Sequence, residues 1–240
     1  IEAGANDFLS KAYDRGEILA RLKTLLQMKK SVESAIDAEM AFLQAQIKPH
    51  FLFNALNTIV SLCYVEPEKA GELIAELSNY LRGSFDFSNI EKFVSMEKEL
   101  EFIESYLVIE KMRFQEKLNY QYDLCDNINF MVPTLIIQPI VENAIKHGIL
   151  PTTKGGNVQL CIKQEDEFIS IIVQDDGIGI PKEKLSHILD EEYASESVGI
   201  RNVNKRMKQI YGYGIEIESE PNKGTRVRIR IPNKGGNINV

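Results

Sequence analysis

The sequence predicts an α+β protein in which a helical hairpin precedes an α/β sandwich. Two observations lead to this fold class. Apolar residues recur at helical spacing through the first third of the chain, and from Ser95 onward helical patterns alternate with short apolar runs typical of strands. With 44% apolar and 26% charged residues, a chain of 240 residues is long enough for one large or two ordinary globular domains.

The first elements are helical. Asp14 is expected to cap a long helix whose apolar positions continue to Ile47 near the 3.5-residue spacing of a coiled-coil seam. A second helix follows Pro67 and is joined to the first by the short break at 65–67, so the two form an antiparallel hairpin. Pairing two hairpins into a four-helix bundle would bury the exposed apolar stripe, and this predicts a homodimer.

The remaining elements build the sandwich, in which helices cover one side of a mostly antiparallel sheet. We predict helices at 96–114, 133–148 and 197–212, and strands at 118–124, 157–164, 168–174, 215–220 and 225–231. An acidic turn at 165–167 joins the second and third strands, and a glycine-rich turn follows at 175–180.

Charge and cysteine content limit the function classes. A net charge of -7 argues against a nucleic-acid-binding surface, because contacting phosphates requires clustered Lys and Arg. Cys63, Cys125 and Cys161 are odd in number and lack CxxC spacing, which predicts neither a disulfide framework nor a zinc site and fits a reducing cytoplasm. No apolar run reaches the roughly 18 to 20 residues that span a bilayer. The chain starts at Ile1 without Met, so we expect any membrane segment upstream of it.

The first candidate site is QAQIKPHFLFNALNTI, residues 44–59. His50 follows Pro49, which bends a helix and would place the imidazole at a local irregularity. A neutral imidazole nitrogen is a nucleophile at cytoplasmic pH. Taken alone, the segment is more simply a core histidine in an apolar helix.

The second candidate is QPIVENAIKHG, residues 138–148. A helix here places Asn143 and Lys146 or His147 on one face. An amide oxygen can ligate Mg²⁺ while Lys and His donate to phosphate oxygens. A solvated helix end with favourable cations explains the same residues.

The other candidates are glycine-rich. Asp175, Gly177 and Gly179 follow an apolar strand, where a carboxylate can accept a hydrogen bond from an adenine amino group; a plain turn is the simpler alternative. Gly199 opens the next helix, whose free N–H groups favour phosphate. Gly224 and Thr225 begin the last strand.

The order and spacing of these motifs are more specific than any one of them. An Asn-bearing helix, DxGxG, a Gly-led helix and a GT-led strand together resemble the GHKL (Bergerat) ATP-binding fold of gyrase, Hsp90, MutL and histidine kinases. With PHFLFN upstream, SYLVIEKMRF and VPTLIIQPIVENAIKHG, residues 44–231 resemble the LytS/YehU-type sensor histidine kinases of two-component systems.

The resemblance implies roles for these residues. His50 would be the phosphoacceptor, Asn143 the Mg²⁺ ligand, and Asp175 the adenine-reading group. The remaining ATP contacts would come from Lys146, His147, Gly177, Gly179, Gly199, Arg201, Asn202, Gly224 and Thr225, beneath a lid at 181–198. The implied partners are a second copy of the chain and the receiver domain of a response regulator, with no nucleic acid and with membrane contact only through other parts of a membrane-anchored parent.

Two departures from the family pattern are expected to matter. Phe51 stands where many histidine kinases carry an acidic residue that orients the phosphoacceptor, which leaves Asn54 as a candidate for that task. Ser197 replaces a glycine before the third helix, a change that would loosen ATP binding or alter the lid. The alternatives to an active kinase are a nucleotide-binding pseudokinase scaffold and a GHKL-type ATPase.

The predicted domains follow. Residues 1–30 resemble the C-terminal remnant of a receiver domain with its connector helix, including Lys11, although Ala12 replaces the usual proline. Residues 31–94 form the signalling helix and the dimerisation and histidine-phosphotransfer hairpin. Residues 95–240 form the ATP-binding catalytic domain.

Overall fold

The computed structural model describes residues 19, 21, 23–29, 49–88, 92–189 and 198–233. The chain divides into two units, residues 1–48 and 49–240. In the first unit residues 23–29 are helical, within the predicted long helix. Most of the predicted receiver remnant and the seam up to Ile47 lie outside the described residues, and the domain boundaries at 30 and 94 stay predictions. None of the described helices is both long and apolar enough to cross a membrane.

The second unit begins with the predicted helical hairpin. Helix α1 spans Pro49–Val65 and helix α2 spans Pro67–Ser88, so Glu66 alone separates them. The buried side chains of α1 recur every fourth residue, at Phe51, Ala55 and Ile59. This spacing gives α1 one apolar face, which packs against α2.

The remaining elements form a mixed sheet with helices, as the α+β prediction requires. The strands are β1 (Phe93–Ser95), β2 (Leu118–Leu124), β3 (Met131–Pro133), β4 (Gly156–Gln164), β5 (Phe168–Asp175), β6 (Glu216–Glu220) and β7 (Gly224–Pro232). The helices are α3 (Met96–Phe114), α4 (Gln138–Asn143), α5 (Lys182–Leu185) and α6 (Val198–Tyr211), with a short 3₁₀ turn at Gln115–Lys117.

Five strands form the main sheet in the order β2-β4-β5-β7-β6. The pair β2 and β4 is parallel, and the other three pairs are antiparallel. Burial on β5 is nearly continuous from Ile169 to Val173, as expected for a strand at the centre of the sheet. The predicted strands therefore exist with bounds shifted by at most one residue.

Helix α3 joins the hairpin to the sandwich. It spans the predicted residues because Ser95 caps its first turn, accepting a hydrogen bond from the Lys98 amide at 3.3 Å. Tyr80 on α2 stacks on Phe102 on α3 with ring centroids 4.9 Å apart. The hairpin and the sandwich consequently share one hydrophobic core.

The predicted helix at 133–148 is wrong at its start, whereas its end is right to within one residue. Its first residues are extended because Pro133 pairs with Phe93 in the two-stranded sheet of β1 and β3, which the sequence analysis missed. Residues 134–137 form a turn in which Leu135 has φ 57°. After α4 the chain continues as a π-helical turn, Ala144–Ile149.

Candidate functional site

His50 is exposed in the first turn of α1, so it is not the packed core histidine of the alternative interpretation. The side-chain amide nitrogen of Asn54, one turn later, lies 3.1 Å from His50 Nδ1 and 3.4 Å from Nε2. The fold thus brings together the predicted phosphoacceptor and its predicted partner. The role of each stays a prediction.

Phe51, the residue after His50, is buried in an aromatic cluster. Its ring centroid lies 4.8 Å from that of Tyr80 and 5.3 Å from that of Tyr106. The Tyr80 hydroxyl in turn accepts a hydrogen bond from Gln138 Nε2 at 3.3 Å, and the same amide donates to Glu142 Oε1 at 3.0 Å. A series of direct contacts therefore connects Phe51, next to His50, with Glu142, next to Asn143.

Asn143 ends α4, and its side chain points into the protein. Its Nδ2 atom is buried and has no hydrogen-bond partner among the described residues. Lys146 and His147 lie exposed on the π-helical turn that follows. Desolvation by neighbouring groups lowers the pKa of Lys146, and the Glu110 carboxylate opposes this shift.

Asp175 ends β5 and is 4% exposed. Its Oδ1 accepts a hydrogen bond from the Gly177 amide at 2.9 Å. Burial raises the pKa of Asp175 to about 6, although the Gly177 and Thr225 amides favour the carboxylate. A buried carboxylate is suited to accept a hydrogen bond from an N–H group of a ligand.

Two glycines bring the π-helical turn against the Asp175 loop. A Cβ on Gly177 would collide with the backbone of Gly148, and a Cβ on Gly148 would lie 2.5 Å from Asp175 Oδ1. The Ile178 amide also donates to the Gly148 carbonyl at 3.1 Å. Gly148 was missed as a site residue, although it directly follows the predicted phosphate contacts.

The other side of the Asp175 loop is closed by β7. Thr225 pairs with Asp175 in the sheet register. Gly179 and Gly224 have φ values of 64° and 91°, which glycine adopts without strain. The Ser219 hydroxyl lies 2.9 Å from that of Thr225 and accepts from the Ile180 amide at 2.8 Å, so Ser219 connects both segments.

Helix α6 brings Gly199 next to Asn143. A Cβ on Gly199 would lie 3.4 Å from Asn143 Nδ2. Arg201 is partly buried and Asn202 is exposed in the same first turns. Ser197 and the lid residues from 190 to 197 lie outside the described residues.

These groups fit a nucleotide. A buried carboxylate matches an adenine amino group, and the Asn143 amide nitrogen, without a partner among the described residues, matches a phosphate oxygen. Close-packed glycines bring the surrounding backbone against Asp175. The start of α6 presents helix N–H groups of the kind that favour phosphate.

Comparison with known proteins agrees with this geometry. Residues 38–118 match the family described as histidine kinase. Residues 132–235 match the histidine kinase-, DNA gyrase B-, and HSP90-like ATPases. The chain belongs to the histidine kinase family. This histidine kinase carries the ATPase domain common to that group, as the sequence predicted.

Three relatives are similar to this histidine kinase over most of its length. It is 45% identical over 232 residues to YwpD of Bacillus subtilis, covering 96% of this chain and 83% of that protein. It is 40% identical to the sensor histidine kinase YpdA of Escherichia coli, over 84% of this chain and 35% of that protein. It is 37% identical to the sensor protein LytS of Staphylococcus saprophyticus, over 82% of this chain and 34% of that protein. The histidine kinase thus spans about a third of the length of YpdA and LytS.

Proposed function

We propose that this chain transfers the γ-phosphoryl group of ATP to His50 and then to an aspartate of a response-regulator receiver domain. The observation that carries the proposal is that one compact unit holds an exposed histidine on a hairpin and a buried carboxylate surrounded by closely packed glycines. The family match at 38–118 favours the kinase over a pseudokinase scaffold or a GHKL-type ATPase.

In the first step a ring nitrogen of His50 attacks the γ-phosphorus. The N–P bond forms as the bond to the β-phosphate oxygen breaks, ADP leaves, and the ring then loses the proton of its other nitrogen to solvent. The attacking nitrogen must be the unprotonated one. In the structure the Asn54 amide nitrogen faces Nδ1; a half-turn of this amide would bring its oxygen to Nδ1–H, hold the proton there and leave Nε2 free to attack.

In the pocket, Asp175 would accept the adenine amino group while Gly177 and Gly179 let backbone come close to the base. Lys146, His147, Arg201 and Asn202 would donate to phosphate oxygens. Gly199 would present its helix N-terminus to phosphate, and Gly224 and Thr225 would line the adenine end. Asn143 would hold Mg²⁺, which when bound neutralises phosphate charge.

The hairpin supports a homodimer. Phe53, Leu56, Val60 and Tyr64 are between 49% and 87% exposed on α1 at spacings of three and four residues. Ile74 on α2 is 50% exposed. We call Phe53, Leu56, Val60 and Tyr64 the α1 stripe; packing it against a second hairpin would bury it in a four-helix bundle.

The relatives named as sensors support the proposed partner and location. We place this domain in the cytoplasm, where ATP and receiver domains are present. The parent protein would carry its sensor, and any membrane anchor, outside this chain.

The deciding experiment measures phosphohistidine and free phosphate in one incubation with Mg-ATP. We expect acid-labile label on the protein that is absent from His50→Gln, and tight nucleotide binding in both proteins. Label that survives in His50→Gln would refute the assignment. Binding without label would favour the scaffold, and steady phosphate release without label would favour the ATPase.

A further inference from the structure

The turn between β3 and α4 holds a conformation that its own sequence does not favour. Leu135 has φ 57°, in the left-handed region that a branched side chain rarely occupies. Ile137, at the start of α4, provides no side-chain cap for the helix. Strained residues persist only where the surrounding structure holds them. Groups outside the turn must therefore fix it.

Glu99 on α3 holds the amide side of this turn. Its side chain is 0% exposed, and its two oxygens accept hydrogen bonds from the Leu135 amide at 3.0 Å and the Ile137 amide at 3.1 Å. Burial raises the pKa of Glu99, while backbone amides of the turn and the charge of Arg206 favour its carboxylate. Glu99 thus supplies from α3 the cap that α4 lacks locally.

Arg206 on α6 holds the carbonyl side of the same turn. Its guanidinium donates to the Thr134 carbonyl and, at 3.2 Å, to the Lys92 carbonyl. The Thr134 amide itself donates to Lys92 at 3.2 Å, so the guanidinium binds where β1 and the turn meet. We call Glu99 and Arg206, with the turn 134–137 between them, the clamp.

The clamp joins the two helices that carry Asn143 and Gly199, two residues of the proposed nucleotide site. Asn143 is the last residue of α4, the helix that follows the turn capped by Glu99. Gly199 begins α6, two turns before Arg206, and packs beside Asn143 Nδ2. A shift of the turn would change the spacing between Asn143 and the N–H groups at Gly199.

We propose that Glu99 and Arg206 are positioning residues, which set the spacing of the Asn143 and Gly199 helices and thereby the affinity for the nucleotide phosphates. The inference rests on the proposed ATP site. Neither side chain is proposed to touch the ligand. Both act by keeping the spacing between α4 and α6 fixed before the nucleotide binds.

The test compares Glu99→Gln with Glu104→Gln in the full chain. Glu104 is a matched control because it lies on the same helix and also accepts two hydrogen bonds, from Tyr120 and Tyr122 of the edge strand β2. Arg206→Lys is a second variant in case Glu99→Gln does not fold. The probe is a non-hydrolysable ATP analogue with Mg²⁺, measured by calorimetry.

For Glu99→Gln we expect about tenfold weaker binding, because one charge-assisted hydrogen bond of the clamp is lost. The phosphohistidine rate at saturating ATP should change less than twofold. Hydrogen exchange without nucleotide should quicken at the Leu135 and Ile137 amides. Arg206→Lys should shift affinity in the same direction, and Glu104→Gln should leave affinity unchanged.

The inference is overturned if Glu99→Gln and Glu104→Gln lose thermal stability equally while both bind the analogue like the parent. Unchanged exchange at Leu135 and Ile137 would also overturn it. If the parent chain itself fails to bind the analogue, the proposed ATP site fails, and the clamp's role in it fails too. Normal binding by the parent and by both clamp variants refutes the clamp alone.

Discussion

Replacing Asp175 by Asn should stabilise the nucleotide-free protein while weakening nucleotide binding. The carboxyl group is 4% exposed, and burial raises its pKa from 3.8 to about 6. Each tenfold change in acidity corresponds to about 1.4 kcal/mol, so the ionised carboxylate costs the folded state about 3 kcal/mol. Asn has the same shape, keeps an acceptor for the Gly177 amide and carries no charge.

The sign of the pH dependence follows from the raised pKa. Below pH 3.8 Asp175 is protonated in both states, and its stabilising contribution is fully present. As pH rises toward 6, the unfolded chain ionises while the folded chain holds the proton, and the free energy of unfolding falls. The advantage of Asp175→Asn should therefore grow from near zero at pH 4 to about 3 kcal/mol above pH 6.

Urea unfolding of both proteins at several pH values measures this difference. Asp126→Asn, an exposed carboxylate before β3, serves as the control and should stay within about 0.5 kcal/mol of the parent throughout. Calorimetry at neutral pH should show nucleotide affinity reduced roughly 10- to 100-fold for Asp175→Asn, because a charged hydrogen-bond acceptor is lost. If the difference in unfolding free energy between the two proteins stays constant from pH 4 to 7, the raised pKa of Asp175 is refuted. Unchanged nucleotide affinity would refute the contact between Asp175 and adenine.

Three further predictions concern the hairpin and the glycine contact. Asn54→Ala should slow phosphohistidine formation about tenfold at saturating ATP with unchanged nucleotide affinity, since only the orientation of the imidazole is lost; a parent-like rate would exclude that role. Val60→Glu, in the α1 stripe, should shift sedimentation equilibrium toward monomer, whereas the exposed Ser61→Glu should not; two dimeric variants would refute the interface. Gly177→Ala should lose about 1–3 kcal/mol of stability and most nucleotide binding, because its methyl group meets the Gly148 backbone. The control Gly71→Ala has open space around its methyl group and should stabilise α2. Similar changes in stability in both variants would contradict the close contact at Gly177.

The elements that could be predicted from the sequence are those whose signals are local. Helix α3 and strand β2 have the predicted bounds because their signals, an N-cap, an apolar period and a helix-to-strand change, depend only on residues close in sequence. The set of candidate site residues came from motif order. Of these, Asp175 lies beside Gly177 and Thr225, and Asn143 lies beside Gly199, while Ser197 lies outside the described residues.

The tertiary structure alone decided what depends on contacts between distant residues. The turn at 134–137 interrupts the predicted helix because Glu99, 36 positions before Leu135, and Arg206, 72 positions after Thr134, bind its backbone. Apolar periodicity does not record such hydrogen bonds. The burial of Phe51 is likewise set by Tyr80 and Tyr106 on other helices. The sequence by itself determined that His50 and an ATP-type motif set occur in one chain. The packing of α1 and α2 on α3 determined that His50 faces solvent while Phe51 anchors the hairpin.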